Sequence, residues 1–207
     1  MFTRPFLYPV FDITYLKKRN LDKDIILSGW LKNGIQLIQL RCKDCSIEEL
    51  KYYYFWLKNN SGNCAIIIND YWEFAIENQT GFHIGKEDYE GLSNQEKSVI
   101  KNAQVIKGTS SHSFEDLEAL ENFWDYSGIG PVFPTSTKIS ANQVLGINKM
   151  KLLTFNKIPL VGIGGISPDN LADLLEAKPV AIAGISCFME IDQFHQMQEI
   201  FRSFFID

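Results

Sequence analysis

The chain has 207 residues, 45% of them apolar, a net charge of −5 and a pI near 5.3. That is enough to bury one substantial core, and a second full domain is not expected. The acidic balance supplies no general field for a polyanion, which argues against nucleic acid as a partner. No apolar run approaches the ~18 to 20 residues needed to span a bilayer, and Met1-Phe2-Thr3-Arg4-Pro5 lacks the layout of a signal peptide, so a cytoplasmic protein is expected.

In chain order, short β-branched or aliphatic runs at 6–11, 34–40, 64–68, 81–84, 104–107, 126–130, 159–163 and 179–183 predict eight strands. Between them, segments such as 47–58, 114–122 and 170–177 carry apolar residues three and four apart, as helices lying on a sheet do. Ser46 and Ser113 predict helix N-caps, and Pro168 suits a first helical turn. The rhythm is that of repeated βα units, so the predicted fold is α/β, a (β/α)8 TIM barrel forming a single catalytic domain over 1–207. A closing helix over 192–204 places Phe194, Met197, Phe201 and Phe204 on one face, as core or as the face of a homo-oligomer. Cys42-Lys43-Asp44-Cys45 has the spacing of redox and zinc sites, but Cys64 and Cys187 stand alone, so ordinary reduced thiols are expected.

In a parallel barrel the active site forms where the strands end, at the C-terminal rim. After the second strand, Gln39, Arg41 and Lys43 alternate onto one side of Gln39-Leu40-Arg41-Cys42-Lys43 and bring an amide and two cations together, a pattern suited to phosphate. The third strand stops abruptly at Asn69-Asp70, and the fourth leads to His83-Ile84-Gly85-Lys86-Glu87-Asp88. Asp70 and Asp88 on adjacent strand ends offer hard oxygen ligands for Mg2+. Gly108-Thr109-Ser110-Ser111-His112-Ser113 offers hydroxyls and N–H groups, with His112 read as a neutral supporting residue. The sixth strand enters Gly128-Ile129-Gly130-Pro131-Val132-Phe133-Pro134-Thr135-Ser136-Thr137-Lys138, dense in turn residues, hydroxyls and a terminal cation. The seventh and eighth end in Gly162-Ile163-Gly164-Gly165-Ile166-Ser167 and Gly184-Ile185-Ser186, loops that often hold a phosphate in this fold. A dinucleotide-binding reading of the Gly-Gly segment fails for want of the remaining glycine and spaced acid.

Together the strings Gln39-Leu40-Arg41-x-Lys43, Ile67-Ile68-Asn69-Asp70, His83-Ile84-Gly85-x-Glu87-Asp88, Gly130 through Lys138 and Gly162 through Ile166 resemble the thiamine phosphate synthase family along nearly the whole chain. The resemblance implies a transferase that joins 4-amino-2-methyl-5-(diphosphooxymethyl)pyrimidine to a thiazole phosphate, releasing diphosphate with Mg2+. It implies that Gln39, Leu40, Arg41, Cys42, Lys43, Asn69, Ser110 and Lys138 hold the pyrimidine diphosphate, with Arg41, Lys43, Ser110 and Lys138 acting catalytically. Asp70 and Asp88 would hold the metal, and Thr135, Ser136, Thr137, Gly165, Ile185 and Ser186 the thiazole phosphate. Cys42 and Lys86 depart from the acid and glutamine common in the family, and 9–12 is an imperfect version of its first strand. Two alternatives are a thiazole tautomerase of the same superfamily, which carries a histidine where this chain has Pro131, and a non-catalytic barrel that binds a phosphorylated ligand.

Overall fold

A computed structural model describes residues 5–43, 45–135, 144–153 and 157–205. Eight strands, β1 (Phe6–Asp12), β2 (Leu37–Arg41), β3 (Ala65–Asn69), β4 (Gly81–Ile84), β5 (Lys107–Ser111), β6 (Tyr126–Ile129), β7 (Leu160–Ile163) and β8 (Ala181–Gly184), follow one another around a closed barrel. Every pairing is parallel, and β8 returns to β1 through Phe6–Ala181 and Tyr8–Ala183.

Strand alternation separates two cores. Tyr8, Val10, Leu37, Ile67, Tyr126, Val161, Ala181 and Ala183 pack against one another inside the barrel. The opposite faces, with Leu7, Phe11, Ile38, Leu40, Ile66 and Ile68 among them, pack beneath the helices. Helix α3 (Ile47–Asn60) presents Leu50, Tyr54 and Leu57 to that layer, α9 (Pro168–Glu176) presents Leu171, Leu174 and Leu175, and α11 (Ile191–Phe204) buries Phe194 and Met197. Phe204 stays exposed at the end of α11.

The predicted caps form. The Ser46 side chain accepts from the Glu49 N–H, Ser167 caps α9 with Pro168 in the first turn, and Ser113 and Asp116 close a reciprocal capping box on α7 (Phe114–Ala119). The helix expected over 114–122 ends earlier, at Ala119, because Leu120 takes an extended backbone that cannot continue it. Burial raises the Asp116 carboxyl pKa, but the Lys86 ammonium at 2.5 Å and the His112 N–H at 2.7 Å outweigh it and hold the group below the usual aspartate value. A carboxyl depressed in this way stabilises the fold above its unfolded-state pKa, and that contribution disappears as pH falls through the folded value. Denaturant titrations over the acid range are expected to show a shallower pH dependence in Asp116→Asn than in the parent; parallel curves would exclude the role.

Two strands start three residues later than expected, and the other starts fall within two residues. The second strand starts at Leu37 rather than residue 34, because Gly34 sits in a turn with φ 79°. The fifth strand is Lys107–Ser111 rather than 104–107. Its hydroxyl-rich sequence looks like a loop, yet Ser111 Oγ and Ser127 Oγ pair at 2.8 Å in the buried layer, and Gly108 lies under the Tyr126 ring.

Candidate active site

The inward columns turn polar as they approach the C-terminal rim. On β1, Tyr8 and Val10 are followed by Asp12; on β2, Leu37 by Gln39 and Arg41; on β3, Ile67 by Asn69; on β4, Gly81 by His83; and on β5, Gly108 by Ser110. Gln39, Arg41, Asn69, His83 and Ser110 accordingly line one cavity, together with Gly128, Gly130, Ile163, Gly164, Gly165, Ile185 and Ser186 from the opposite side.

A buried hydrogen-bonded chain forms the floor. Gln39 Nε2 donates to the Tyr8 hydroxyl at 3.1 Å, the Tyr8 and Tyr126 hydroxyls meet at 2.9 Å, Tyr126 lies 3.2 Å from His83 Nδ1, and His83 Nε2 lies 2.9 Å from Ser110 Oγ. The His83 and Tyr126 rings stack with centroids 5.6 Å apart. Burial pushes the Tyr126 and Tyr8 phenols above their ordinary pKa, so both remain neutral. Tyr126→Phe keeps the ring but removes two of these links, with an expected stability loss of about 1 to 3 kcal/mol. Urea unfolding measures it, and an unchanged midpoint would show the chain to be energetically idle.

Arg41 is positioned from below. Asp12, 2% exposed, accepts from the Arg41 guanidinium and also from the Tyr15 N–H at 2.7 Å, where it caps α1 (Ile13–Arg19). Through this contact Arg41 is held where it lines the cavity.

The opposite wall is made of backbone. Val132 N–H donates to Ile163 O and Phe133 N–H to Gly164 O, both at 3.0 Å, so the loop after β6 runs alongside the end of β7. Gly164 and Gly165 have φ of 97° and 68°, and a Cβ at Gly165 would stand 2.4 Å from the carbonyl oxygens of both Phe133 and Pro134. Asn170 in the first turn of α9 accepts from the Ser167 N–H and donates to Gly165 O, each at 2.9 Å, fixing the cradle to the helix start.

A family model described as thiamine monophosphate synthase matches residues 7–188. The chain belongs to the thiamine monophosphate synthase family. Among its relatives, the thiamine-phosphate synthase of Clostridium acetobutylicum is 36% identical, with 87% of this chain and 85% of that protein aligned. The thiamine-phosphate synthase of Clostridium botulinum is 32% identical, over 90% of this chain and 91% of the relative. The thiamine phosphate pyrophosphorylase structure from Pyrococcus furiosus superposes with a TM-score of 0.76 at 23% identity, covering 97% and 96% of the two chains, which is a likeness of fold.

Within this family framework the expected site residues separate into groups. Gln39, Arg41, Asn69, Ser110, Thr135, Gly165, Ile185 and Ser186 line the cavity. Leu40 is wholly buried under the helices, on the other face of β2. Lys43 lies in the turn after Arg41, exposed and outside the cavity lining, because β2 ends before alternation can carry it inward. Cys42 is 1% exposed, and its sulfur is joined to Cys45 in a disulfide, which departs from the expectation of reduced thiols at this pair, whereas Cys64 and Cys187 are free. A separation of three residues brings the Cα atoms to 5.5 Å, within reach of that bond. Asp70 follows β3 with φ 70°, its N–H donating to His83 O at 2.9 Å, while Asp88 sits exposed in the first turn of α5 (Lys86–Glu90). Ser136, Thr137 and Lys138 lie outside the described residues.

His112 also lines the cavity; its backbone N–H donates to Asp116 at 2.7 Å and its Nδ1 lies 3.2 Å from Gly130 O. Sequence reasoning missed Tyr8, Asp12 and Tyr126. The available signal was parity, since Asp12 shares a strand face with Tyr8 and Val10 and stands opposite Arg41 in the β1–β2 register.

Proposed function

We propose that the chain condenses 4-amino-2-methyl-5-(diphosphooxymethyl)pyrimidine with a thiazole phosphate, giving thiamine phosphate and diphosphate. It is a thiamine phosphate synthase, a transferase of thiamine biosynthesis acting on small molecules, and the family match over 7–188 carries that reading. Two unlike anion environments facing one cavity support it. The β1–β5 half supplies Arg41, Asn69, His83 and Ser110, with Asp70 at its edge. Among the described residues, the β6–β8 half lines the cavity with glycines, apolar side chains and the hydroxyls of Thr135 and Ser186, and with no charged group.

In this reading Arg41, steadied by Asp12, binds the pyrimidine diphosphate, while Gln39, Asn69 and Ser110 orient the ring above the Tyr8–Tyr126–His83 floor. Lys43 and Lys138 add positive charge from the flanking loops, and the Gly164–Gly165 turn, Thr135 to Thr137, Ile185 and Ser186 hold the thiazole phosphate. The C–O bond to diphosphate breaks, and the thiazole nitrogen forms the new N–C bond at the pyrimidine methylene. The protein contributes no nucleophile. Its cations stabilise the charge growing on the leaving group, and its two half-sites bring nitrogen and methylene together.

Asp70 and Asp88 fit Mg2+. Both are hard oxygen donors that follow neighbouring strands, Asp70 after β3 with φ 70° and Asp88 after β4. Bound there, Mg2+ would neutralise charge on the departing diphosphate. A cytoplasmic setting suits substrates that are multiply charged phosphates, and among the described residues no helix is long and apolar enough to cross a membrane.

The test is product formation. With Mg2+ and both phosphorylated substrates, equal amounts of thiamine phosphate and diphosphate are expected, and neither substrate alone should yield diphosphate. Diphosphate released without thiamine phosphate, or no turnover at all, would overturn the reading.

A further inference from the structure

The Cys42–Cys45 disulfide lies in the turn that carries Lys43, between the last residue of β2 and the cap of α3. That turn touches the rim at three points. Arg41 is bound by Asp12, Lys43 O accepts from Thr14 Oγ1 at 3.1 Å, and Cys45 O accepts from the hydroxyl of Tyr71, the residue after Asp70, at 3.1 Å. While the sulfurs are joined, Cys42 and Cys45 close a small ring, β2 stops at Arg41, and Lys43 points to solvent rather than into the cavity. Continued by two residues, β2 would place Lys43 on the same side as Gln39 and Arg41.

We infer that Cys42 and Cys45 are a reversible thiol-oxidation site that sets the affinity for the pyrimidine diphosphate: reduced, the turn lets Lys43 join Arg41, and oxidised, it holds Lys43 away. This rests on the reading of the β1–β5 rim as the diphosphate half-site.

The chemistry is thiol–disulfide exchange with a low-molecular-weight disulfide such as glutathione disulfide. The Cys45 thiolate attacks one glutathione sulfur and expels a glutathione thiolate. Cys42 then attacks the Cys45 sulfur and expels the second. One S–S bond breaks and one forms, two electrons pass from protein to glutathione, and the two thiol protons end on two glutathione thiols. Cys45, half-buried, is the sulfur that an external thiol or disulfide can reach, whereas Cys42 is enclosed. The other two cysteines do not compete. Burial pushes the Cys64 thiol up to about 11 and the Cys187 thiol up to about 12, which leaves them protonated and slow. Glu49 lies within 4.8 Å of both sulfurs, but its carboxylate is engaged by Lys17. In the cytoplasm a disulfide is characteristically transient and regulatory, so the reduced, tighter-binding form is the working one.

The experiment uses the full chain with Mg2+, equilibrated with either glutathione disulfide or a dithiol reductant. Maleimide labelling read by mass reports whether residues 42 and 45 are closed, and calorimetry reports binding of the pyrimidine diphosphate. Oxidation is expected to remove two labels and weaken binding about tenfold, the scale of one charge-assisted contact. Thiazole phosphate binding is expected to stay unchanged. Cys45→Ser should keep the reduced-state affinity under both conditions, and Lys43→Ala should bind equally in both. A pair shown closed by labelling with affinities within about twofold, or a pair that never closes, overturns the inference alone. No binding in either state, together with no thiamine phosphate formation by the reduced chain, overturns the functional reading and this inference with it.

Discussion

Asp70→Asn is expected to lower turnover by about a hundredfold to a thousandfold, the range for losing a metal-held or preorganised charge at a leaving group. Asparagine is the informative replacement because Asp70 has φ 70°. Asparagine tolerates the left-handed region that alanine resists, so the change removes charge without adding backbone strain. The Asp70 N–H bond to His83 O and the Trp72 N–H bond to Asp70 O are made by backbone and survive. Thermal unfolding reports any change in the fold separately, while the Mg2+ concentration for half-maximal diphosphate release is expected to rise. Turnover within about threefold of the parent, at the same Mg2+ requirement, would remove Asp70 from the metal site.

Gly165→Ala acts on the other half of the cavity by a different cause. The added methyl would meet two backbone carbonyl oxygens at 2.4 Å, and φ is 68°. Neither neighbour is the loose end of a side chain, so the loop after β6 and the end of β7 must separate. The expected loss is about 2 to 4 kcal/mol, combining the left-handed penalty of a Cβ with the opened contact. With each substrate varied in turn, KM for the thiazole phosphate should rise at least about tenfold, whereas KM for the pyrimidine diphosphate moves little. A variant that loses stability but keeps its thiazole KM would show the Gly-Gly turn to be scaffold rather than cradle.

The two variants probe parts of the site that were unequally legible in the sequence. The glycine loops were readable because closure of a parallel barrel fixes where strands end, and Gly164-Gly165 follows β7 directly. Gln39, Arg41 and Asn69 were readable for the same reason, each on the inward parity of a clearly apolar strand. Lys43 was not, because alternation predicts a side only while a strand continues, and β2 stops at Arg41. The fifth strand was not, because the apolar signal lies at Val105-Ile106, whereas the pairing to β6 runs from Gly108 to Ser111. Hydrophobicity marks a strand poorly where its neighbour supplies the bulk, as the Tyr126 ring does over Gly108. Tyr8 and Tyr126 are 118 residues apart and look like ordinary aromatic core; their hydroxyls meet only once the barrel is closed.

The hydrogen-bonded floor also has a sense of direction. Gln39 Nε2 can only donate, so the Tyr8 oxygen accepts from it and gives its own proton to Tyr126. Tyr126 in turn donates to His83 Nδ1, which places the imidazole proton on Nε2 and aims it at Ser110 Oγ. The last hydroxyl proton in the sequence, that of Ser110, is then turned towards the cavity. An amide at one end of five side chains thus sets the polarity presented at the other, favouring a ligand atom with a lone pair, such as a pyrimidine ring nitrogen. Replacing Gln39 with glutamate, whose carboxylate only accepts, would reverse the direction of every hydrogen bond along the row.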